Sequence, residues 1–194
     1  MEITSLCVFC GSSPGLLPAY ATAARRFGSL LAQRGITLVY GGGHVGRMGE
    51  VADGALGSGG KVIGVIPRHL IDKEVEHRGL TELIEVSSMH ERKMKMAELS
   101  GAFVALPGGI GTLEELFEAF TWTQLGLQAK PCALLNTSDF YSRLLSFLEY
   151  VVEQRFVKEE NYRSLLVEAD GEKLLDRIAA YQHVAIDKWL DRRA

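Results

Sequence analysis

The chain has 194 residues, 47% of them hydrophobic and 23% charged, and this balance predicts one globular domain over residues 1–194 with a sizeable buried core. Its formal net charge of −3 gives no electrostatic reason to expect a nucleic-acid or anionic-membrane partner, and no segment approaches the apolar length of a membrane span. The composition argues against these classes and favours a cytoplasmic protein that binds a small molecule.

Short apolar runs alternate with longer helical stretches along the chain. Strands are predicted at residues 3–10, 36–40, 61–66, 83–86, 102–106 and 132–135. Helices are predicted at about 18–34, 46–58, 89–100, 111–127 and 139–156, with further helix towards the C-terminus. Continuously apolar strands separated by helices indicate an α/β fold, a doubly wound, mostly parallel Rossmann-like sheet with helices on both faces. Ligands of such sheets bind beyond the carboxyl ends of the strands.

The first predicted strand contains Cys7 and Cys10 in a C-x-x-C pattern. Residues three apart in a strand point to opposite faces, so these thiols are poorly placed to share a metal, and buried packing is the better interpretation. Cys132 brings the total to three, an odd number that fits a reducing compartment better than a disulfide framework.

The loop after the second predicted strand has a G-x-G-x-x-G pattern at Gly41, Gly43 and Gly46. Glycines before a helix let backbone N–H groups approach an anion, so the loop is typical of phosphate binding. A dinucleotide site would also need an acidic residue at the end of the next strand, where this chain has Ile66-Pro67-Arg68. NADP recognition through an arginine and a plain tight turn remain alternatives.

A basic segment follows the fourth predicted strand. In a helix over residues 89–100, Arg92 would lie near the N-terminal end, where the helix dipole repels a cation and a bound anion would compensate. Arg92 offers a planar fork for a phosphate or carboxylate, and Lys93 offers a mobile charge. A solvated charged face is the alternative interpretation.

The fifth predicted strand leads into PGGIGTLEE at residues 107–115. Its glycines expose backbone N–H groups and Thr112 can cap the next helix, so this loop also predicts a phosphate site. The next helix has an apolar stripe formed by Leu113, Leu116, Phe117 and Phe120. Glu115 falls roughly opposite this stripe, so either Glu114 and Glu115 complement the helix dipole or Glu115 has a chemical role.

These segments together resemble one known family. The matching stretches are VFCGSSPG (8–15), VYGGGHVGRMG (39–49), VIGVIPRHL (62–70), SMHERKMKM (88–96), LPGGIGTLEEL (106–116) and TWTQLG (121–126). They resemble the Lonely Guy family of cytokinin riboside 5′-monophosphate phosphoribohydrolases, many of which have carried an older lysine decarboxylase label. The resemblance runs in order from about residue 5 to about residue 181.

The resemblance implies hydrolysis of the N-glycosidic bond of a purine nucleoside 5′-monophosphate, such as AMP, without a cofactor or a metal. It implies that Arg92 and Glu115 are the catalytic pair. The substrate-binding positions it implies are Gly41, Gly42, Gly43, Glu74, Lys93, Gly108, Gly109, Ile110, Gly111, Thr112 and Thr121. Position 110 is often tyrosine in plant-like members, so Ile110 leaves the base preference open.

The sequence also predicts an oligomeric state and leaves two alternative functions to consider. The family resemblance and the apolar segment FYSRLLSFLEYVV (140–152) predict a homodimer. A pyridoxal phosphate decarboxylase would need a Schiff-base lysine, and no lysine has a recognisable context for one. A non-catalytic nucleotide-binding protein would use both glycine loops without requiring Glu115.

Overall fold

A computed structural model describes residues 3–71 and 76–183 of the chain. In these residues seven parallel strands form one sheet in the order β4-β3-β2-β1-β5-β6-β7. The strands β1 to β7 span Ser5–Phe9, Thr37–Tyr40, Val62–Pro67, Glu82–Val86, Phe103–Ala105, Cys132–Leu135 and Leu166–Glu168. The helices α1 to α7 span Pro18–Gln33, Gly46–Gly57, Met89–Glu98, Ile110–Gln124, Ser142–Glu153, Glu159–Arg163 and Gly171–Ala179. The predicted α/β class with a parallel sheet is confirmed.

Helices cover both faces of the sheet, as continuously apolar strands require. One core packs α1, α2 and α7 against one face, and the other packs α3, α4 and α5 against the opposite face. Alternation along β1 sends Cys7 into one core and Cys10 against the other, so the predicted separation of these thiols is confirmed. None of the described helices is long and apolar enough to cross a membrane.

The site is positioned by the strand order around β1. This central strand pairs with β2 on one side and with β5 on the other, and the helix that follows β1 packs on one face of the sheet while the helix that follows β5 packs on the other. The loops that follow β1 and β5 diverge at this point and leave a crevice between them. The loop after β5 carries the PGGIGT sequence, and the loop after β1 carries GSSPG (11–15).

Two expectations need correction. Strand β7 was not predicted, because Leu166–Glu168 is only three residues long and has no alternation to detect. The helix predicted from residue 139 begins instead at Ser142, because Ser138 and Asp139 have positive φ angles of 52° and 57°, which a right-handed helix cannot include.

Helices α1 and α2 pack with their backbones almost in contact. A Cβ atom on Gly28 of α1 would overlap the carbonyl oxygen of Val51, and one on Gly54 of α2 would overlap that of Arg25. The Ser29 hydroxyl also donates a hydrogen bond to the Gly54 carbonyl across this interface, at 3.0 Å. The two glycines therefore permit the close approach.

We expect Gly28→Ala to lower the free energy of unfolding by about 1–3 kcal/mol, because the added methyl group must force the two helices apart. The matched control is Gly57→Ala at the end of α2, where a Cβ atom would meet nothing within 4 Å. Urea denaturation measures both changes. A Gly28→Ala protein as stable as the parent would show that the two helices separate at no cost.

Candidate active site

A cleft of about 310 Å³ opens at the carboxyl ends of the central strands, between the β1 and β5 loops and the starts of α3 and α4. Its lining combines a cation, two carboxylates and a run of backbone at the start of α4. The lining residues are Cys10, Gly11, Ser12, Met48, Leu70, Met89, Arg92, Gly109, Ile110, Gly111, Thr112, Glu114 and Glu115. The fold thus brings the basic segment and the PGGIGT loop to one place.

The β1 and β5 loops meet backbone to backbone at one edge of this cleft. A Cβ atom on Gly108 would overlap the hydroxyl oxygen of Thr112 and lie 2.9 Å from the backbone nitrogen of Gly11. A Cβ atom on Gly11 would in turn lie 3.2 Å from the Cα of Gly108. Glycine is needed at position 108, whereas a side chain at position 11 would make a tight contact with the Gly108 backbone, and the buried Thr112 packs directly under the loop.

Arg92 is almost fully buried at the cleft, with only 4% of its surface exposed. Two hydrogen bonds fix its guanidinium. Its Nε donates to the Val65 carbonyl at 3.0 Å, and its Nη2 donates to the Gly41 carbonyl at 2.7 Å. A Cβ atom on Gly41 would overlap Nη2, so this glycine leaves room for the guanidinium. The GGG turn therefore acts on the site through Arg92.

The start of α3 is fixed by a capping box, which sets the position of Arg92. The Ser88 hydroxyl accepts a hydrogen bond from the Glu91 N–H at 3.1 Å, and Glu91 Oε2 accepts one from the Ser87 N–H at 2.7 Å. Hydrogen bonds from Ser87 lower the pKa of Glu91 below its usual value. Glu91 is therefore a cap rather than an acid for chemistry.

Glu115 lines the cleft from the second turn of α4 and is half-buried. No acidic residue lies in the first turn, where the helix dipole is strongest, so dipole complementation does not account for Glu114 or Glu115. Leu116 and Phe120 are buried, as the apolar stripe predicts. Glu115 therefore faces the cleft and not the core.

The thiol at the floor of the cleft is a poor nucleophile. Burial raises the pKa of Cys10 well above its usual value, and the negative charge of Glu115 raises it further. The positive charges of Arg47 and Arg92 oppose this shift but do not overcome it. Cys10 thus stays a neutral thiol, and the Glu115 carboxylate is the better candidate for a reactive group.

Comparison of the sequence with known proteins identifies a family and several relatives. The profile of a family described as "Possible lysine decarboxylase" matches residues 48–178. A probable cytokinin riboside 5′-monophosphate phosphoribohydrolase from Oryza sativa subsp. japonica is 49% identical over 91% of this chain and 78% of its own. The cytokinin riboside 5′-monophosphate phosphoribohydrolase of Rhodococcoides fascians is 47% identical over 87% of this chain and 85% of its own.

The chain belongs to the Lonely Guy family. Among solved structures, the molybdenum cofactor carrier protein of Chlamydomonas reinhardtii matches with a TM-score of 0.70 over 93% of this chain and 100% of its own, at 22% identity. The molybdenum cofactor binding protein of Rippkaea orientalis matches with a TM-score of 0.69 over 93% and 98% of the two chains, also at 22% identity. At this identity these matches show a shared fold alone.

The positions suggested by the family resemblance differ in where they lie relative to the cleft. Arg92, Glu115 and residues 109–112 line the cleft, and Gly108 lies behind it at the loop contact. The glycines at 41–43 are buried and do not belong to the described cleft lining, and Gly41 contacts the site through its hydrogen bond with Arg92. Glu74 lies outside the described residues.

Lys93 and Thr121 are placed elsewhere in this chain. Lys93 Nζ pairs with Glu114 at 2.6 Å and with Glu118 at 2.9 Å, which ties α3 to α4. Although burial lowers the pKa of Lys93, the hydrogen bonds from its ammonium group to these carboxylates raise it above the usual value. The Thr121 hydroxyl donates to the Phe117 carbonyl at 2.6 Å, about 14 Å along α4 from Thr112.

The sequence did not indicate three apolar residues of the cleft, Met48, Leu70 and Met89. Met89 Sδ lies 3.8 Å from Arg92 Nη1, and the side chain is 38% exposed. An apolar residue at the start of a helix carries no signal that separates core packing from ligand contact. Ile110, which the sequence did indicate, is 82% exposed on the cleft rim.

One cluster of described residues has metal-binding side chains, His44, Asp53 and His77, with ligand atoms within 4.8 Å of one another. His77 Nδ1 accepts a hydrogen bond from the Gly79 N–H at 3.1 Å, so its Nε2 carries the hydrogen that points to Asp53 Oδ1 at 2.9 Å. Both ring nitrogens of His77 are thus engaged in hydrogen bonds. These bonds attach residues 76–79 to α2 instead of forming a ready metal site.

Proposed function

We propose that this protein hydrolyses the N-glycosidic bond of a purine nucleoside 5′-monophosphate of the AMP or cytokinin type, releasing the free base and ribose 5-phosphate. The observation that carries the proposal is the placement of Glu115 and Arg92 in one cleft with the PGGIGT backbone. The names of the relatives, which are 43–49% identical to this chain, support the same reaction.

The start of α4 suits the sugar-phosphate end of the substrate. Residues 109–112 combine backbone N–H groups with the positive end of a helix dipole. A phosphate there would fix the ribose relative to Glu115, one and a half turns along the same helix. Binding energy from the phosphate is then spent on positioning the reacting bond.

Glu115 supplies the negative charge that bond cleavage requires. As the C1′–N bond breaks, its electron pair moves to the base and positive charge develops on the ribose, which a fixed carboxylate stabilises. Water adds to C1′ and gives a proton to Glu115, and the departing base takes up a proton from solvent, so one water molecule is consumed for each bond cleaved. Arg92, fixed by two carbonyl groups, orients the substrate and stays cationic throughout.

Nucleoside 5′-monophosphates are therefore expected to be cleaved, and the matching nucleosides to be cleaved at least about 100-fold less efficiently, because they lack the group that positions the bond. Chromatography of adenine released from AMP and from adenosine measures the difference. Equal efficiency with the two substrates would overturn the role given to the loop.

The decarboxylase alternative lacks a nucleophile at this site. No lysine is found among the cleft residues in the described part of the chain, and Lys93 is held by two carboxylates. A non-catalytic nucleotide-binding protein remains the competing function. It would bind AMP without releasing adenine, so the same chromatography distinguishes it.

We also propose a homodimer formed through the outer face of α5. No residue of α5 is fully buried, and Phe147 and Tyr150 are 59% and 54% exposed. Leu144 and Leu148 already pack against the core, so this helix is apolar on two sides. An isologous two-fold contact would cover the outer side.

Light scattering is expected to give about twice the chain mass of 21.3 kDa. Phe147→Glu should shift the particle to the monomer mass, because a charge buried in the contact would lack a partner. Lys173→Glu, an exposed change on α7 at the opposite face of the sheet, should leave the dimer intact. A monomeric parent protein would contradict the proposal.

We propose further that the protein is cytoplasmic and folds as a single domain. Its three cysteines are free, and burial raises the pKa of Cys132 to about 12. This pattern fits a compartment in which thiols stay reduced. The seven described strands share one sheet, which supports one domain.

A further inference from the structure

Arg47, in the first turn of α2, is a buried cation that the proposed reaction does not use. Only 6% of its surface is exposed, and its Nε is buried without a hydrogen-bond partner. No described residue forms an ion pair with its guanidinium. Its backbone N–H donates to the Gly11 carbonyl at 2.9 Å, which fixes α2 against the β1 loop. A buried charge is costly unless an opposite charge pairs with it, so Arg47 points to an anionic ligand.

Arg47 lines a second cavity, of about 270 Å³, on the other side of the β1 and β5 loops. Ser12, Ser13, Tyr20 and the backbone at Gly108 and Gly109 supply its other polar groups, and Pro14, Pro107 and Phe140 make the rest of the lining largely apolar. The described lining contains this one cation and no carboxylate. Hydroxyl groups, loop N–H groups and a guanidinium fork are the donors that bind a phosphoryl oxyanion.

The second cavity adjoins the cleft, because Gly11, Ser12 and Gly109 line both. In the cleft the charge of Arg92 is opposed by Glu114 and Glu115, whereas nothing in the described lining opposes Arg47. An anion that spans the shared loops is therefore drawn away from the carboxylates and towards Arg47.

We propose that this second cavity is a phosphoryl-binding subsite in which Arg47 supplies the positive charge. Its ligand is a phosphoryl group, either free orthophosphate or the terminal phosphate of a nucleotide whose sugar lies in the cleft. The nucleotide source rests on the proposed function, while the orthophosphate source does not. A subsite that holds a phosphate beyond the 5′-phosphate lets nucleotides longer than a monophosphate bind at the same cleft.

Calorimetric titration with orthophosphate tests the subsite directly. Arg47→Met and Arg47→Gln should each raise the Kd for orthophosphate about tenfold or more, since a charge-assisted fork is lost. Arg163→Met, which removes an exposed arginine of α6, should leave the Kd unchanged. Without phosphate, Arg47→Met should melt no lower than the parent, because it removes an unpaired buried charge, but phosphate should no longer raise its Tm.

The source of the phosphoryl group is resolved in a Glu115→Gln background, where bound nucleotides persist. If adding Arg47→Met weakens AMP binding but not adenosine binding, the subsite holds the 5′-phosphate. If Arg47→Met raises the Kd for ADP by a larger factor than the Kd for AMP, the subsite holds the terminal β-phosphate. If only the Kd for orthophosphate changes, the subsite is a free-anion site. Kd values within about twofold of the parent for all four ligands in both Arg47 variants would overturn the proposal. None of these readouts requires adenine release, so failure of the proposed hydrolysis is detected separately.

Discussion

Glu115→Gln is expected to fold normally, to bind AMP, and to release adenine about 100-fold or more slowly than the parent protein. The amide preserves the shape of the side chain but carries no negative charge and cannot accept a water proton. Glu115 is half-buried on the cleft wall and lies off the apolar stripe of α4, so the change spares the core. Binding by calorimetry and adenine release by chromatography separate affinity from turnover.

Glu114→Gln is the matched control, one position earlier on the same helix. The Glu114 carboxylate is 51% exposed and pairs with Lys93, which keeps Glu118 as a second partner. Loss of an exposed ion pair of this kind costs about 1 kcal/mol or less in stability and removes no reacting group. Equal losses of activity in the two variants would show that the helix end, and not the Glu115 charge, matters.

Arg92→Lys is expected to lower kcat/KM about 100-fold or more despite conserving the charge. A guanidinium binds the Val65 and Gly41 carbonyls at once, and a lysine ammonium on a shorter, flexible stem cannot hold the same position. The cation would no longer be fixed at the cleft, so substrate orientation is lost. Steady-state kinetics with AMP measures the effect.

Two other variants serve as comparisons for Arg92→Lys. Arg163→Lys makes the same chemical change on the surface of α6 and should leave kinetics and Tm unchanged. Gly41→Ala should reproduce much of the Arg92→Lys defect, because its methyl group overlaps the guanidinium. Full activity in Arg92→Lys would reduce the role of Arg92 to that of a simple point charge.

The fold was predictable because its signals are local. Continuously apolar strands separated by helices identify a parallel sheet, and the loops at the strand ends could be identified from their glycines. The backbone at Ser138 and Asp139 was not predictable, since residues other than glycine rarely adopt positive φ. The three-residue strand β7 depends on its neighbour β6 more than on its own sequence.

The site was predictable only in part. Arg92 and Glu115 could be named from an awkward charge near an anion-binding loop and from the family resemblance. The role of Gly41 as a hydrogen-bond partner of Arg92 could not be predicted, because the two residues are separated by 51 positions and meet only through the strand order. Burial of Arg47 and the pairing of Lys93 likewise depend on packing between helices, which no spacing along the chain encodes.

The most direct test of hydrolysis at this cleft is product analysis after incubation of the purified protein with AMP. The proposed reaction yields adenine and ribose 5-phosphate in equimolar amounts, resolved by chromatography and mass spectrometry, and Glu115→Gln yields neither at a comparable rate. Recovery of intact AMP from a protein that binds it, or of adenosine and orthophosphate as the products, would contradict cleavage of the N-glycosidic bond.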